Sequence, residues 1–219
     1  MTTLETTVNA AVDVALMPVL HAMLNFHAKD TSRYAINGLM VKDEEVEDGY
    51  NRIYCATDGR KLVVISHVLD TNSVSLPYPV IIPSEVVKGL KAPKRGRLNQ
   101  DVQGYTLNMT TDIRGTLSLG ANSTIFEAVE GNFPPYKDVI PAYEESDEPI
   151  HTLIGLNATF LAQSCKLFES LYKLSGDTDQ RGIRVSIRQS NKPILMQAWP
   201  FINDVKVNIT AVLMPVSLS

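Results

Sequence analysis

The chain has 219 residues, of which 44% are hydrophobic and 20% charged, enough apolar material for a substantial core and too much for a disordered chain. A net charge of -4 excludes a surface that is basic throughout, although it leaves room for a local basic stripe. Cys55 and Cys165 stand in no metal-ligand spacing, so neither a disulfide framework nor a metal site is expected; with no apolar stretch of spanning length and no basic leader, the expected location is cytoplasmic, away from membranes.

From the N-terminus, Thr6 to Val14 reads as a strand, and Pro18 opens a helix that carries Leu20, Met23, Leu24 and His27 at helical spacing. Three apolar segments follow, "YAINGLMV", "RIYCATDG" and "KLVVISHVL", each predicted as a strand, with the acidic "KDEEVEDGY" as a connector between the first two. Asp58-Gly59 marks a turn, and Arg60-Lys61 follows it at once on a strand that is otherwise apolar. Those two charges are either a solvated strand start or the mouth of a site.

A second cycle opens with the strand "YPVIIP" and the helix "SEVVKGLK", for which Ser84 is the expected N-cap and Pro93 the stop. The meander "YTLNMTT", "RGTLSLGA" and "TIFEAVEG" comes next, and "NFPPYKDVIPAYEESDEP" reads as an acidic, Pro-rich linker. The third cycle runs from "HTLIGLN" into the longest helix, with Asn157 at its cap and Gly176 just past its end. On that helix Phe160, Leu161, Leu167, Phe168, Leu171 and Leu174 form the predicted apolar stripe, and Gln163, Lys166, Ser170 and Lys173 fall on another face. "RGIRVSIRQ", "PILMQAWPF" and "VKVNITAVLMPVSLS" again read as strands. The pattern is three rounds of strand, helix and several strands, about 70 residues each, which predicts an α+β protein in which helices pack on antiparallel sheet.

Nothing in the sequence points to catalysis. It has no Gly-rich phosphate loop, His-Glu-x-x-His motif or nucleophile elbow, and His21, His27, His67 and His151 are scattered. A non-catalytic protein that needs no cofactor is expected.

The stretches "RYAINGLMV", "ATDGRKL", "VEGNFPPYKDVIP", "IGLNATFL" and "VLMPVSL" stand in the same order as their counterparts in the bacterial replicative sliding clamp, the β subunit of DNA polymerase III. The sequence is similar to that family over residues 33 to 218. The resemblance implies a DNA-clamp fold of about three half-domain repeats, with helices lining a pore and sheets outside. It further implies that residues 1–147 form a complete domain like the middle domain of the clamp, and that 148–219 form a half-domain like the C-terminal half of its last domain. The implied function is that of a processivity factor, an accessory subunit that encircles duplex DNA as a homo-oligomeric ring without reading sequence. It would tether DNA polymerase, clamp-loader or repair proteins through short linear peptides. Four copies would supply the material of the family's ring, although a ring of another number stays open. So does a second reading, a non-encircling homologue that binds clamp-interacting peptides or pairs with a full-length clamp.

Position by position, the resemblance places Ile36, Thr57, Gly59, Lys61, Leu62, Pro134 and Val139 around an apolar peptide pocket, with Asn157, Phe160, Pro193, Met214, Pro215 and Val216 completing it. Leu62 and Met214 are both expected at the surface of that groove. Asp138, Phe160 and Ser217 depart from the family pattern, which usually has a basic residue, an aromatic hydroxyl and an Arg there, so this pocket should be less basic. Lys88, Lys91, Lys94, Arg95 and Arg97, on and after the second helix, and Lys166 and Lys173 on the third, correspond to pore-facing positions that would attract phosphates.

Overall fold

A computed structural model describes residues 12–29, 35–93, 102–141, 154–176, 181–187 and 192–216. The strands β1 (Val12–Leu16), β2 (Gly38–Val46), β3 (Gly49–Thr57) and β4 (Lys61–Val68) follow one another with the single-turn helix α1 (Leu20–Met23) after β1. Then come β5 (Val80–Pro83), α2 (Ser84–Gly89), β6 (Tyr105–Met109), β7 (Arg114–Leu119) and β8 (Asn122–Glu127). The last part holds α3 (Ala158–Ser175), β9 (Arg184–Ser186), β10 (Ile194–Ala198), β11 (Phe201–Ile202), β12 (Val205–Lys206) and β13 (Asn208–Leu213).

The two halves of the first part exchange their leading strands. β1 pairs antiparallel with β6, and β5 pairs antiparallel with β2, so neither half completes its sheet alone. One sheet has the order β1-β6-β7-β8. The other runs β5-β2-β3-β4-β13-β10-β9, because β4 pairs with β13 from Lys61↔Leu213 to Ser66↔Asn208.

Alternation along these strands sends side chains to opposite faces. Leu39, Val41, Tyr54, Ala56, Val63, Ile65, Ile209 and Ala211 point into the main core with α1, α2 and α3, where they meet Leu20, Met23, Val87, Leu167, Phe168 and Leu171. Met40, Ile53, Cys55, Leu62, Ile81, Leu195 and Val212 point the other way and form a second core with Tyr136. A sheet apolar on both faces must be covered on both. The cover on the outer face is the Pro-rich segment, which was expected to be a linker. Its residues Phe133 and Ile140 pack there, Tyr136 is buried in a 3-10 turn over Tyr136–Val139, and Lys137 bonds to Glu44 at 2.8 Å. The aromatic spacing inside "FPPY" overrides the loop-like composition.

The acidic "connector" also differs from expectation. Its residues extend β2 and β3 through a tight turn at Glu47-Asp48, and Asp43 is answered within the sheet. Asp43 lies opposite Arg52, both are almost fully buried, and the guanidinium holds the carboxylate through Nε at 2.8 Å and Nη2 at 2.6 Å. Arg52 also donates to Ala15 O (2.5 Å) and Val74 O (2.8 Å), while Asp43 accepts from Leu76 N (2.7 Å). This pair therefore joins β1, β2, β3 and the loop after β4.

The ends of α3 and the start of α2 were legible to within a residue. Asn157 caps α3, its Oδ1 accepting from Thr159 N (3.0 Å) and Phe160 N (3.2 Å), and Gly176 closes it at φ 70°. Ser84 is instead the first residue of α2, behind Pro83, and α1 stops at Met23, before His27. On α3, Leu161 is exposed, and Tyr172 takes a place in the core beside Leu174. Of "HTLIGLN", the described part makes only a bridge, Gly155 to Val216.

Removing one partner of a buried, hydrogen-bonded ion pair strands the other. Arg52→Ala is therefore expected to lower unfolding free energy by about 3–5 kcal/mol, read from urea denaturation. A second expectation comes from three histidines. Burial pushes the pKa of His21, His27 and His67 down, against backbone hydrogen bonds that favour the charged form. Below about pH 6.5 the unfolded chain takes up protons that the native state resists, so stability present at neutral pH is lost as pH falls through that value. The thermal midpoint should drop between about pH 7 and about pH 5, and His67→Gln should flatten the drop.

Candidate functional site

The turn between β3 and β4 is built from its own side chains. Asp58 Oδ1 accepts from Arg60 N (2.9 Å) and Lys61 N (3.0 Å), and its Oδ2 accepts from Lys61 Nζ at 2.5 Å. Thr57 Oγ1 donates to Lys61 O (2.8 Å) and accepts from Gly59 N (3.1 Å), and Gly59 takes φ 84°, where a side chain would be strained. The basic pair thus splits into two roles. Arg60 is exposed, whereas Lys61 is only 5% exposed, its ammonium 4.8 Å from the centroid of the Phe160 ring and 5.7 Å from that of Phe26. Lys61 joins the turn to the helix layer, and the charge is held by a carboxylate and two aromatic faces.

Beside this turn is a cavity of about 260 Å³. Its wall includes Ile36, Thr57, Gly59, Lys61, Leu62, Pro134, Val139 and Met214, all of them read from the sequence. Asp138, read as a departure from the family pattern at this pocket, also lines it, and Arg60, Pro135, Tyr136 and Val212 line it and were missed as wall residues. The signal for Tyr136 was its spacing from Phe133; Val212 was hidden because only strand register shows which face it takes. Pro193, Pro215 and Val216 lie outside the wall, the first two half-buried and Val216 38% exposed in its bridge to Gly155. Asn157 and Phe160 lie outside the wall as well, and Phe160 is linked to it through Lys61.

Exposure separates the residues that a ligand could meet from those that hold the sheet. Val139 is 48% exposed and Met214 43%, so both stand at the mouth. Leu62 is 3% exposed and belongs to the outer core, contrary to its expected place at the surface. Met214 is fixed by its backbone, with Met214 N donating to Arg60 O at 3.1 Å. The cavity is mostly apolar, ringed by prolines and aliphatic side chains, with polar groups at the turn and at Asp138. Such a shape takes up one or two hydrophobic anchors of an extended chain.

Lys88 is on α2 and Lys166 and Lys173 are on α3, in the helix layer where α1 packs against both, and Lys91 follows α2. Lys88 and Lys91 are exposed, and Lys166 and Lys173 are exposed seven residues apart on one stripe of α3. Lys173 is paired with Glu169 at 2.6 Å. Hydrogen bonding and charge from Lys173 hold the Glu169 carboxyl below its usual range. Lys94, Arg95 and Arg97 lie outside the described residues. Among the described residues no group of three or more His, Cys, Asp or Glu could hold a metal ion, and no helix is long and apolar enough to cross a membrane.

No protein-family model and no curated protein matches the sequence. Solved structures do match. DNA polymerase III β of Caulobacter crescentus superposes with TM-score 0.66 at 15% identity, over 99% of this chain and 69% of that one. DNA polymerase III subunit β of Borrelia burgdorferi, in complex with a natural product, gives TM-score 0.66 at 12% identity, over 100% and 66%. A sliding clamp from Bartonella birtlesii bound to griselimycin gives 0.58 at 16%, over 100% and 69%.

The fold is that of the bacterial sliding clamp. The chain spans about two thirds of the length of the clamps it matches. Its mixed helix and antiparallel sheet match that fold.

Proposed function

We propose that this chain is a DNA sliding clamp, a non-catalytic processivity factor that surrounds duplex DNA as a ring of identical subunits and holds replication or repair proteins by short peptides. Residues 1–147 would be one complete clamp-type domain and 148–219 a half-domain. The observation that carries the reading is the pocket at the junction of β4 and β13, where residues far apart in sequence, Ile36, Leu62, Pro134 and Met214, converge on one apolar cavity. A peptide bound there would be anchored by a few side chains rather than by the whole contact area.

The DNA part of the proposal rests on Lys88, Lys91 and Lys166 in the helix layer, joined by Lys94, Arg95 and Arg97 of the sequence. Contacts of this kind are weak, salt-sensitive and blind to sequence, which suits a protein that slides. The ion pair of Lys173 with Glu169 removes one cation from that layer and favours the second reading, a clamp homologue that keeps the pocket without surrounding DNA.

Two measurements test the proposal. Met214→Glu and Val139→Glu place charge at the mouth without touching the buried core, and each should weaken binding of a short hydrophobic peptide about tenfold or more, measured by fluorescence anisotropy. Unchanged affinity in both removes the pocket. For the ring, protein assembled on a closed circular duplex should remain through a salt wash and be lost once the circle is cut. Equal retention on cut and closed DNA leaves the non-encircling homologue.

A further inference from the structure

The Pro134–Asp138 segment has a cavity on each side of it. On one side is the pocket of about 260 Å³; on the other is an open groove of about 760 Å³ floored by Met40, Ile81 and Phe133. Pro134, Pro135, Tyr136 and Asp138 belong to the walls of both. A chain anchored in the pocket therefore needs only a few extended residues, at about 3.3 Å each, to pass over this segment into the groove. Tyr136, 7% exposed, stands between the two with a buried hydroxyl that has no hydrogen-bond partner among the described residues.

The groove is acidic once its internal pairs are counted. Lys42 and Lys137 both line it and share the single carboxylate of Glu44, at 2.6 Å and 2.8 Å, which leaves one positive charge against the three carboxylates of Asp112, Glu130 and Asp138. Burial opposes ionisation of Glu44, yet the hydrogen bonds from Lys137 and Lys42 hold its pKa below the usual value. Asp112, Glu130 and Asp138 remain at the groove, all exposed and none in an ion pair among the described residues. The pocket side differs, because Arg60 lines the pocket and not the groove.

We propose that the peptide held in the pocket carries a basic flank, and that this flank lies in the adjoining groove against Asp112, Glu130 and Asp138. The inference rests on the pocket reading and extends it from an apolar anchor to a charged neighbour. Complementary charges at an exposed rim mainly set specificity and association rate, so the flank selects among partners that share the same anchor.

Three labelled peptides with one leucine-phenylalanine anchor and flanks of lysine, serine or glutamate make the test, titrated by anisotropy into the full chain. The lysine flank on the groove side should bind about fivefold tighter than the glutamate flank at low salt, with the difference shrinking as salt rises. The double variant D112K/E130K should reverse that order. Equal affinity for all three peptides, with binding still lost in Met214→Glu, overturns the basic flank and leaves the pocket standing. Failure of all three to bind overturns the pocket reading and the flank with it.

Discussion

The pairing of β4 with β13 is the constraint on which the rest of the molecule depends. Six residue pairs join the first part of the chain to the last and turn two small sheets into one of seven strands. Once joined, that sheet presents apolar side chains on both faces. The helices cover one face, and the segment around Tyr136 covers the other. The pocket is what this second cover leaves open, at the place where the turn before β4 and the residues after β13 meet.

Charge in this protein is placed by burial more than by sequence neighbourhood. Arg52 and Asp43 sit inside the structure, and their cost is met by five hydrogen bonds that leave few polar atoms unsatisfied. Lys61 is treated in the same way, with Asp58 and two rings around it, so a residue that looked like a solvated strand start stiffens the wall of the pocket. The cations of the helix layer stay in water. Surface pairs such as Lys173 with Glu169 add little stability, and their effect is on local potential.

How much of this was legible in the sequence depended on the range of the signal. The meander of β6 to β8 and the ends of α3 were readable because alternation, an Asn cap and a closing Gly act over a few residues. The acidic stretch was misread because composition says nothing of a cross-strand partner, and Asp43 finds Arg52 only when the hairpin closes. The Pro-rich segment was misread for a related reason: its apolar residues are spaced for a covering loop, a role with no period of its own. Residues of the pocket came from the clamp resemblance, and all seven of those placed from the first part line the cavity. Those placed from the last part mostly do not, and Leu62 turned out to be structural. Register, which no local pattern fixes, decided the acidic hairpin and the buried place of Leu62.

The exchange of leading strands has a consequence for how the chain is made. β1 waits for β6, and β4 waits for β13, so these earlier strands cannot complete their sheets until much later residues have been made. Pairings so distant in sequence close large loops before they gain contacts, which slows folding. Until β13 arrives, β4 is an open edge with an uncovered apolar face, the kind of surface that invites association with other unfinished chains. The strand that builds the pocket wall is thus also the one that ends the most exposed stage in the life of the nascent protein.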